Sequence, residues 1–412
     1  MTGKDYKLTK FTCFFLFPSI APVFILPPVL FVTFRQMYGV SYTQLGTLVL
    51  VNFCVQLCAD LLFTFFPKSL DHHRSIRATP LLTAFGLLVY ALIPWLFPQY
   101  AYLGLLLGTV IFSFAAGLNE VFLSPTVAAL PSDNPERDMS VLHSLYGYGS
   151  AAVALVSTVF LHVFGTEKWM YLAIFWAVLP LIAFVLFCIA PLPQIVTAEM
   201  PSQASAKRKR VGLFLCMLCI FLGSAAENTM TNWISAYMET ALHIPKLWGD
   251  TLGLAAFALL LAMTRTVYAK RGKNIFSVLL AGMTGALVCY LTAGLVTAPG
   301  VCMVACMLTG ICTSMLWPGV LIFMEEKFPN PGIAAYALMA AGGDLGASVA
   351  PQGLGIVVDK VAVSGWAEAL GEQIGLSAEQ VAMKTGMLTA GLFPLLGMGL
   401  LLYLKKFFAK KI

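Results

Sequence analysis

Apolar residues gather into twelve long stretches of this chain, at roughly 11–34, 44–66, 78–97, 101–130, 139–164, 168–190, 211–238, 248–268, 274–298, 300–325, 334–358 and 384–404. A helix that crosses a hydrocarbon core needs about 20 predominantly apolar residues. Most of the stretches meet that length, so the pattern predicts twelve transmembrane helices. The first is too long for a signal-peptide core and no small-residue cleavage site follows it, so it is expected to remain as the first helix.

Polar residues interrupt the stretches at helical spacing. The second carries Asn52, Gln56 and Asp60, the fourth Ser113, Gly117, Glu120 and Ser124, and the seventh Ser224, Glu227, Asn228, Thr231 and Ser235. Each set falls on one helical face. The fifth adds His143, Gly147 and Ser150, the tenth Thr309, Thr313 and Trp317, and the eleventh Asp344, Ser348 and Gln352. The third, sixth, ninth and twelfth offer only scattered Ser and Thr. An amide or carboxylate facing lipid costs several kcal/mol, about 2.5 to 3.5 even on insertion scales. The polar faces are therefore expected to enclose a central cavity between two halves, with every third helix left to face lipid.

Charge fixes an expected orientation. With the N-terminus inside, twenty Lys and Arg fall in inside segments, while the outside keeps only Arg35, Lys168, Lys246, Lys360 and Lys384. That bias follows the positive-inside rule and puts both termini in the cytoplasm. The net charge of +6 then reports topology, and no nucleic-acid partner is implied. Hydrophobic residues make up 59% and charged residues 11%, too little polar surface for a soluble fold. The ten cysteines all lie in apolar stretches, and the Cys216/Cys219 pair has no His nearby, so neither a disulfide framework nor a metal site is expected.

The segment 191–210, opening with Pro191 and Pro193 and ending in the basic run Lys207–Arg210, reads as a cytoplasmic linker between an N-terminal six-helix bundle (1–190) and a C-terminal one (211–412). A weak internal repeat agrees. Gly117 and Pro125 recur as Gly310 and Pro318, and Gly147 and Ser150 correspond to Gly343 and Gly346.

The rhythm of polar helices resembles the major facilitator superfamily, an all-α membrane fold of twelve helices in two pseudo-symmetric six-helix bundles. Shorter motifs are similar to its fucose, galactose and glucose proton-symporter branch: Gly117-Leu-Asn-Glu120 followed by Pro125, Leu142-His143-Ser144 leading into Gly147-Tyr148-Gly149, Gly223-Ser-Ala-Ala-Glu227 with Trp233, and Ser314-Met-Leu-Trp-Pro318. The chain departs from that branch in lacking an acid in the first helix and in carrying Ser124 where an Asn usually precedes the Pro. The resemblance implies secondary active transport by alternating access.

Glu120 sits near mid-span, where the charged form is penalised and a proton can be taken up and released. Glu227, Asp344 and His143 are further proton-coupling candidates; packing hydrogen bonds are the alternative for each. Asn52, Gln56, Asn119, Glu227, Asn228 and Asn232 are candidates for binding a hydroxyl-rich solute. Tyr146, Trp233 and Trp317 accompany the polar faces and suit stacking on a ring. Asp60, Arg265 and Asp359 lie near span ends and read as structural charges. No phosphate-binding loop, catalytic triad or H-E-x-x-H occurs, so neither enzyme activity nor a cofactor is expected. The expected partners are a small-molecule substrate, protons or another coupling ion, and the lipid bilayer. The expectation is a monomeric multi-pass protein of the cell membrane, plasma or inner, that takes up a small polar solute such as a sugar or polyol together with protons. Alternatives are a proton-driven exporter of amphipathic compounds and a non-transporting receptor or scaffold.

Overall fold

A computed structural model describes residues 6–65, 71–133, 135–193, 207–328 and 333–409. The first apolar stretch forms α1 (Lys7–Ser19) and α2 (Ala21–Tyr38), with a break at Ile20 between Pro18 and Pro22. Proline removes an N–H and crowds the preceding turn, which is why a single stretch yields two helices. Then come α3 (Tyr42–Phe65), α4 (His72–Leu96), α5 (Ala101–Ala128), α6 (Pro135–Phe164) and α7 (Trp169–Ile189). The C-terminal part contains α8 (Lys207–Thr240), a short α9 (Lys246–Trp248), a π-helical segment Gly249–Ala255, α10 (Ala256–Arg271) and α11 (Ile275–Leu295). It continues with α12 (Pro299–Thr313), α13 (Pro318–Lys327), α14 (Ile333–Ala362), α15 (Gly365–Ile374), α16 (Ala378–Ala390) and α17 (Leu392–Ala409).

Eleven segments among the described residues are long and apolar enough to cross a membrane. The remaining one of the twelve expected spans is α14, which is 30 residues long but rich in Gly and Ala and carries Asp344, Gln352 and Asp359. Three expectations need correction. The basic run expected in the linker is the first turn of α8, whereas residues 194–206 of that linker lie outside the described residues. The tenth span is not one rod, because α12 ends at Thr313 and α13 resumes at Pro318. The twelfth begins at Ala378, so Lys384, expected in an outer loop, is helical and only 6% exposed.

The ends are set by local chemistry. Gly39 closes α2 with φ +66, a conformation that favours glycine, and its N–H reaches Arg35 O at 3.1 Å. Asp71 caps α4 by accepting from Arg74 N at 2.8 Å. Ser377 and Gln380 form a capping box at the start of α16.

The chain forms two compact units, Met1–Val40 with Val51–Ala198, and Ser41–Leu50 with Glu199–Ile412. In the first, α4 and α5 pack closely through glycines: a Cβ on Gly108 would fall 2.5 Å from the Tyr90 Cβ, and one on Gly86 would fall 2.6 Å from Phe112 N. Small residues at such crossings let membrane helices approach without a gap. A one-sided apolar face of α7, with Tyr171, Phe175, Val178 and Ile182, is exposed and suits lipid. The expected three-fold rhythm of exposure is only partly present. Sixth-span α7 and fifth-span α6 are equally buried at 39%, while third-span α4 is half buried against α5 and α7.

In the second unit, α8 and α14 cross where Gly346 faces the Phe221 backbone. The first turns of α3 belong to this unit as well. Asp359 of α14 caps them by accepting from Tyr42 N at 3.1 Å and Thr43 N at 2.6 Å, and the Tyr42 hydroxyl donates to Glu379 at 2.8 Å. The charge read from sequence as a span-end residue is thus a helix cap supplied from more than 300 positions away.

Candidate functional site

In the first unit, a polar patch joins α3 and α5. Asn52 Nδ2 donates to Val23 O at 3.4 Å, and the Ser113 hydroxyl donates to Asn52 Oδ1 at 2.8 Å. One turn along α3 lies Gln56, and a further turn on lies Asp60; both stand on the side of α3 that meets α5 one turn before Glu120. The approach is allowed by Gly117, one turn before Glu120, where a Cβ would meet Ala59 Cβ and Gln56 O at 2.8 Å and Asp60 Oδ1 at 3.2 Å. No cation reaches Glu120 among the described residues.

Next to Glu120, Asn119 is 1% exposed, and neither its amide nitrogen nor its oxygen has a hydrogen-bond partner. The buried Gln56 oxygen is likewise unpartnered. Leaving buried polar atoms unpaired costs about 1 to 3 kcal/mol each, so their presence together calls for an explanation. Tyr146 on α6 packs edge-on against Phe17 and Phe24, with ring centroids 6.1 and 5.8 Å away. His143 lies in α6, and its side chain is outside the described residues.

In the second unit, Glu227 of α8 meets Arg265 of α10. The Arg265 Nη2 donates to both Glu227 oxygens, at 3.1 and 3.2 Å, and its Nε donates to Ser314 O at 2.8 Å. Ser314 lies where α12 has ended, a point at which backbone carbonyls lose their helical donors. Asn228 Nδ2 donates to the Ser224 carbonyl and hydroxyl, and Asn232 Nδ2 donates to Asn228 O at 2.8 Å. These amide nitrogens therefore bond along their own helix. Trp233 is fully buried, its Nε1 donating to Pro351 O at 3.0 Å, while Trp317 stands in the break between α12 and α13 against Gly343. Asp344 is 3% exposed on α14, beside the Gly346 crossing.

Residue by residue, the structure brings Asn52 and Gln56 to the α3–α5 contact with Gly117 and Ser113, leaves Asn119 buried on the opposite side of α5 from that contact, and sets Glu227, Asn228 and Asn232 along α8. Sequence reasoning read Asp60 and Arg265 as structural charges and named no partner for either. Both carried a usable signal: Asp60 is in register with Gln56 and Asn52, and Arg265 lies six residues inside the end of its helix rather than at it.

The family model for the Major Facilitator Superfamily matches residues 11–351. Among solved structures, the chain is similar to a bacterial homologue of the human lysosomal transporter Spinster in an inward-facing, unoccupied conformation. Identity is 11%, coverage is 99% of this chain and 98% of that one, and the TM-score is 0.74. It is similar to the Escherichia coli fucose:proton symporter at 13% identity, 99% and 100% coverage and a TM-score of 0.60. A D-xylose-proton symporter matches at 13% identity, 94% and 96% coverage and a TM-score of 0.72. No curated protein sequence matches the chain.

Proposed function

The chain belongs to the major facilitator superfamily, and we propose that it is a proton-coupled symporter that takes up a small, hydroxyl-bearing solute by alternating access. One observation carries this: an acid, Asp60, and an amide, Gln56, lie on the side of α3 that Gly117 brings against α5 one turn before Glu120, and no cation reaches Glu120 among the described residues. Two carboxylates held on facing helices repel each other, and uptake of one proton by the pair relieves the repulsion. A carboxyl pair that trades a proton with an opened face is what coupling to a proton gradient requires.

The solute end of the cycle is supported by the unpartnered amides of Asn119 and Gln56. A sugar or polyol hydroxyl both donates and accepts, so it satisfies amide atoms that the protein leaves empty. Fold neighbours described as fucose and D-xylose proton symporters agree with this chemistry. The lysines and arginines favour a multi-pass protein of the plasma or inner membrane with both termini inside.

Reconstituted in liposomes, the protein should acidify or alkalinise the lumen in step with solute movement, and an imposed inward proton gradient should concentrate the solute several-fold. Solute movement that ignores the gradient would remove proton coupling. Outward pumping of amphipathic compounds with no response to sugars would reassign the protein as an exporter.

A further inference from the structure

We propose that Arg265 forms an anion-binding subsite in the C-terminal unit, and that the transported solute is a hydroxylated monocarboxylate, such as a sugar acid or hydroxy acid. The inference rests on the transporter function proposed above and narrows its substrate class.

An arginine presents five N–H donors in a fixed plane. In Arg265 the Nε is committed to Ser314 O and Nη2 to Glu227, whereas Nη1 makes no hydrogen bond among the described residues. The guanidinium is therefore held from two helices, α8 and the end of α12, with one edge left open. Its side chain is 36% exposed, against 16% for Glu227, so the open edge is reachable.

Two other largely buried cations of this unit are already spent. Lys384 Nζ lies at the end of α11, donating to Val296 O at 2.7 Å and Ala293 O at 3.2 Å. Lys246 pairs with Asp250 at 3.1 Å and Glu239 at 3.8 Å, and Asp250 also accepts from Ser235. Arg265 alone among these three keeps donors in reserve, as a planar fork of the shape that grips a carboxylate.

Charge selects the ligand. Arg265 and Glu227 together are neutral, so each negative charge on a ligand is left over at the site, and a single charge costs least. A phosphate dianion would leave the site strongly negative in a low dielectric. A monocarboxylate can instead use the open edge of the fork beside Glu227, or take the place of Glu227 when Glu227 takes up a proton, exchanging one carboxylate for another at the guanidinium. Asn228 stands next to Glu227 on the same helix, partly buried, with no hydrogen bond to its amide oxygen among the described residues, and is positioned to accept from a hydroxyl of the same solute.

The test measures binding of D-gluconate, D-galacturonate and L-lactate against glucose, galactose and glycerol, by calorimetry on the purified full chain. At least one carboxylate should bind at least tenfold more tightly than its neutral counterpart. Glu227→Gln should tighten that carboxylate several-fold, because the competing internal charge is gone, and Arg265→Gln should weaken it at least tenfold. The Glu227→Gln gain keeps the test decisive even if Arg265→Gln fails to fold. Equal binding of acids and neutral sugars, with no gain in Glu227→Gln, would make the pair a structural bridge and overturn the subsite while leaving proton-coupled sugar uptake standing. Binding and transport of neither panel would instead count against both the subsite and the broader function.

Discussion

Glu120 in the first unit and Glu227 in the second both lie within membrane-spanning helices, and their surroundings differ in kind. Glu120 meets another acid and an amide, whereas Glu227 meets an arginine that is itself tied to the broken end of α12. The same side chain is thereby given two chemistries. The first carboxyl has a like group for a neighbour, and the second has a cation to bond. On the function proposed above, ion coupling belongs to the first unit and an anion-sensitive contact to the second.

The repeated Gly and Pro positions sharpen the contrast. Gly117 and Pro125 lie in α5, which runs unbroken from Ala101 to Ala128, while the corresponding Gly310 and Pro318 bracket the break between α12 and α13. A proline can be absorbed as a kink or can end a helix, and neighbouring contacts decide which. In the second unit the freed Ser314 carbonyl has Arg265 to bond with, which stabilises the broken form.

The largest expected effect separates the two glutamates by stability. Removing one partner of a fully buried ion pair costs about 3 to 5 kcal/mol, and with Arg265 partly exposed the loss should be nearer 2 to 3. Arg265→Met should therefore lower the melting temperature markedly, and adding Glu227→Gln should restore much of it. Glu120→Gln, which strips no counter-charge, should shift stability by about 1 kcal/mol or less. Equal losses at both sites, read by thermal unfolding in detergent, would erase the distinction.

A smaller effect tests the empty amide. Asn119→Leu removes two unpaired polar atoms from a buried position, so stability should hold or rise by about 1 kcal/mol. Solute uptake should nevertheless fall. A variant that is destabilised and still transports would assign Asn119 to packing.

The smallest effect lies outside the membrane. The Arg74 backbone N–H holds the Asp71 carboxyl below its ordinary value of 3.8. A depressed folded-state value means that this contribution is present above the ordinary carboxylate range and fades as pH falls through it. Asp71→Asn should slightly flatten the acid side of the stability profile and leave transport unchanged.

The helices, their number and the polar faces were legible in the sequence because length, hydropathy and helical period are local properties. Glu120 and Glu227 stood out for the same reason, as acids within apolar runs. Their neighbours did not. Whether Asp60 turns toward α5, or Arg265 spans to α8, depends on glycine-permitted crossings such as that at Gly117, which no periodicity encodes. Asp359 is the extreme case, since its partners at Tyr42 and Thr43 lie at the far end of the chain. Lys384 was misplaced because a capping box at Ser377 starts the last span earlier than the apolar run suggests.

Coupling through Glu120 is tested most directly by Glu120→Gln in liposomes, with solute exchange and proton-driven accumulation measured on the same preparation. The variant should exchange solute at near wild-type rates, since glutamine mimics the protonated acid, and should fail to concentrate it under an imposed proton gradient. Accumulation that persists in Glu120→Gln would contradict the assignment and move coupling elsewhere, with Glu227 and Asp344 the next residues to substitute.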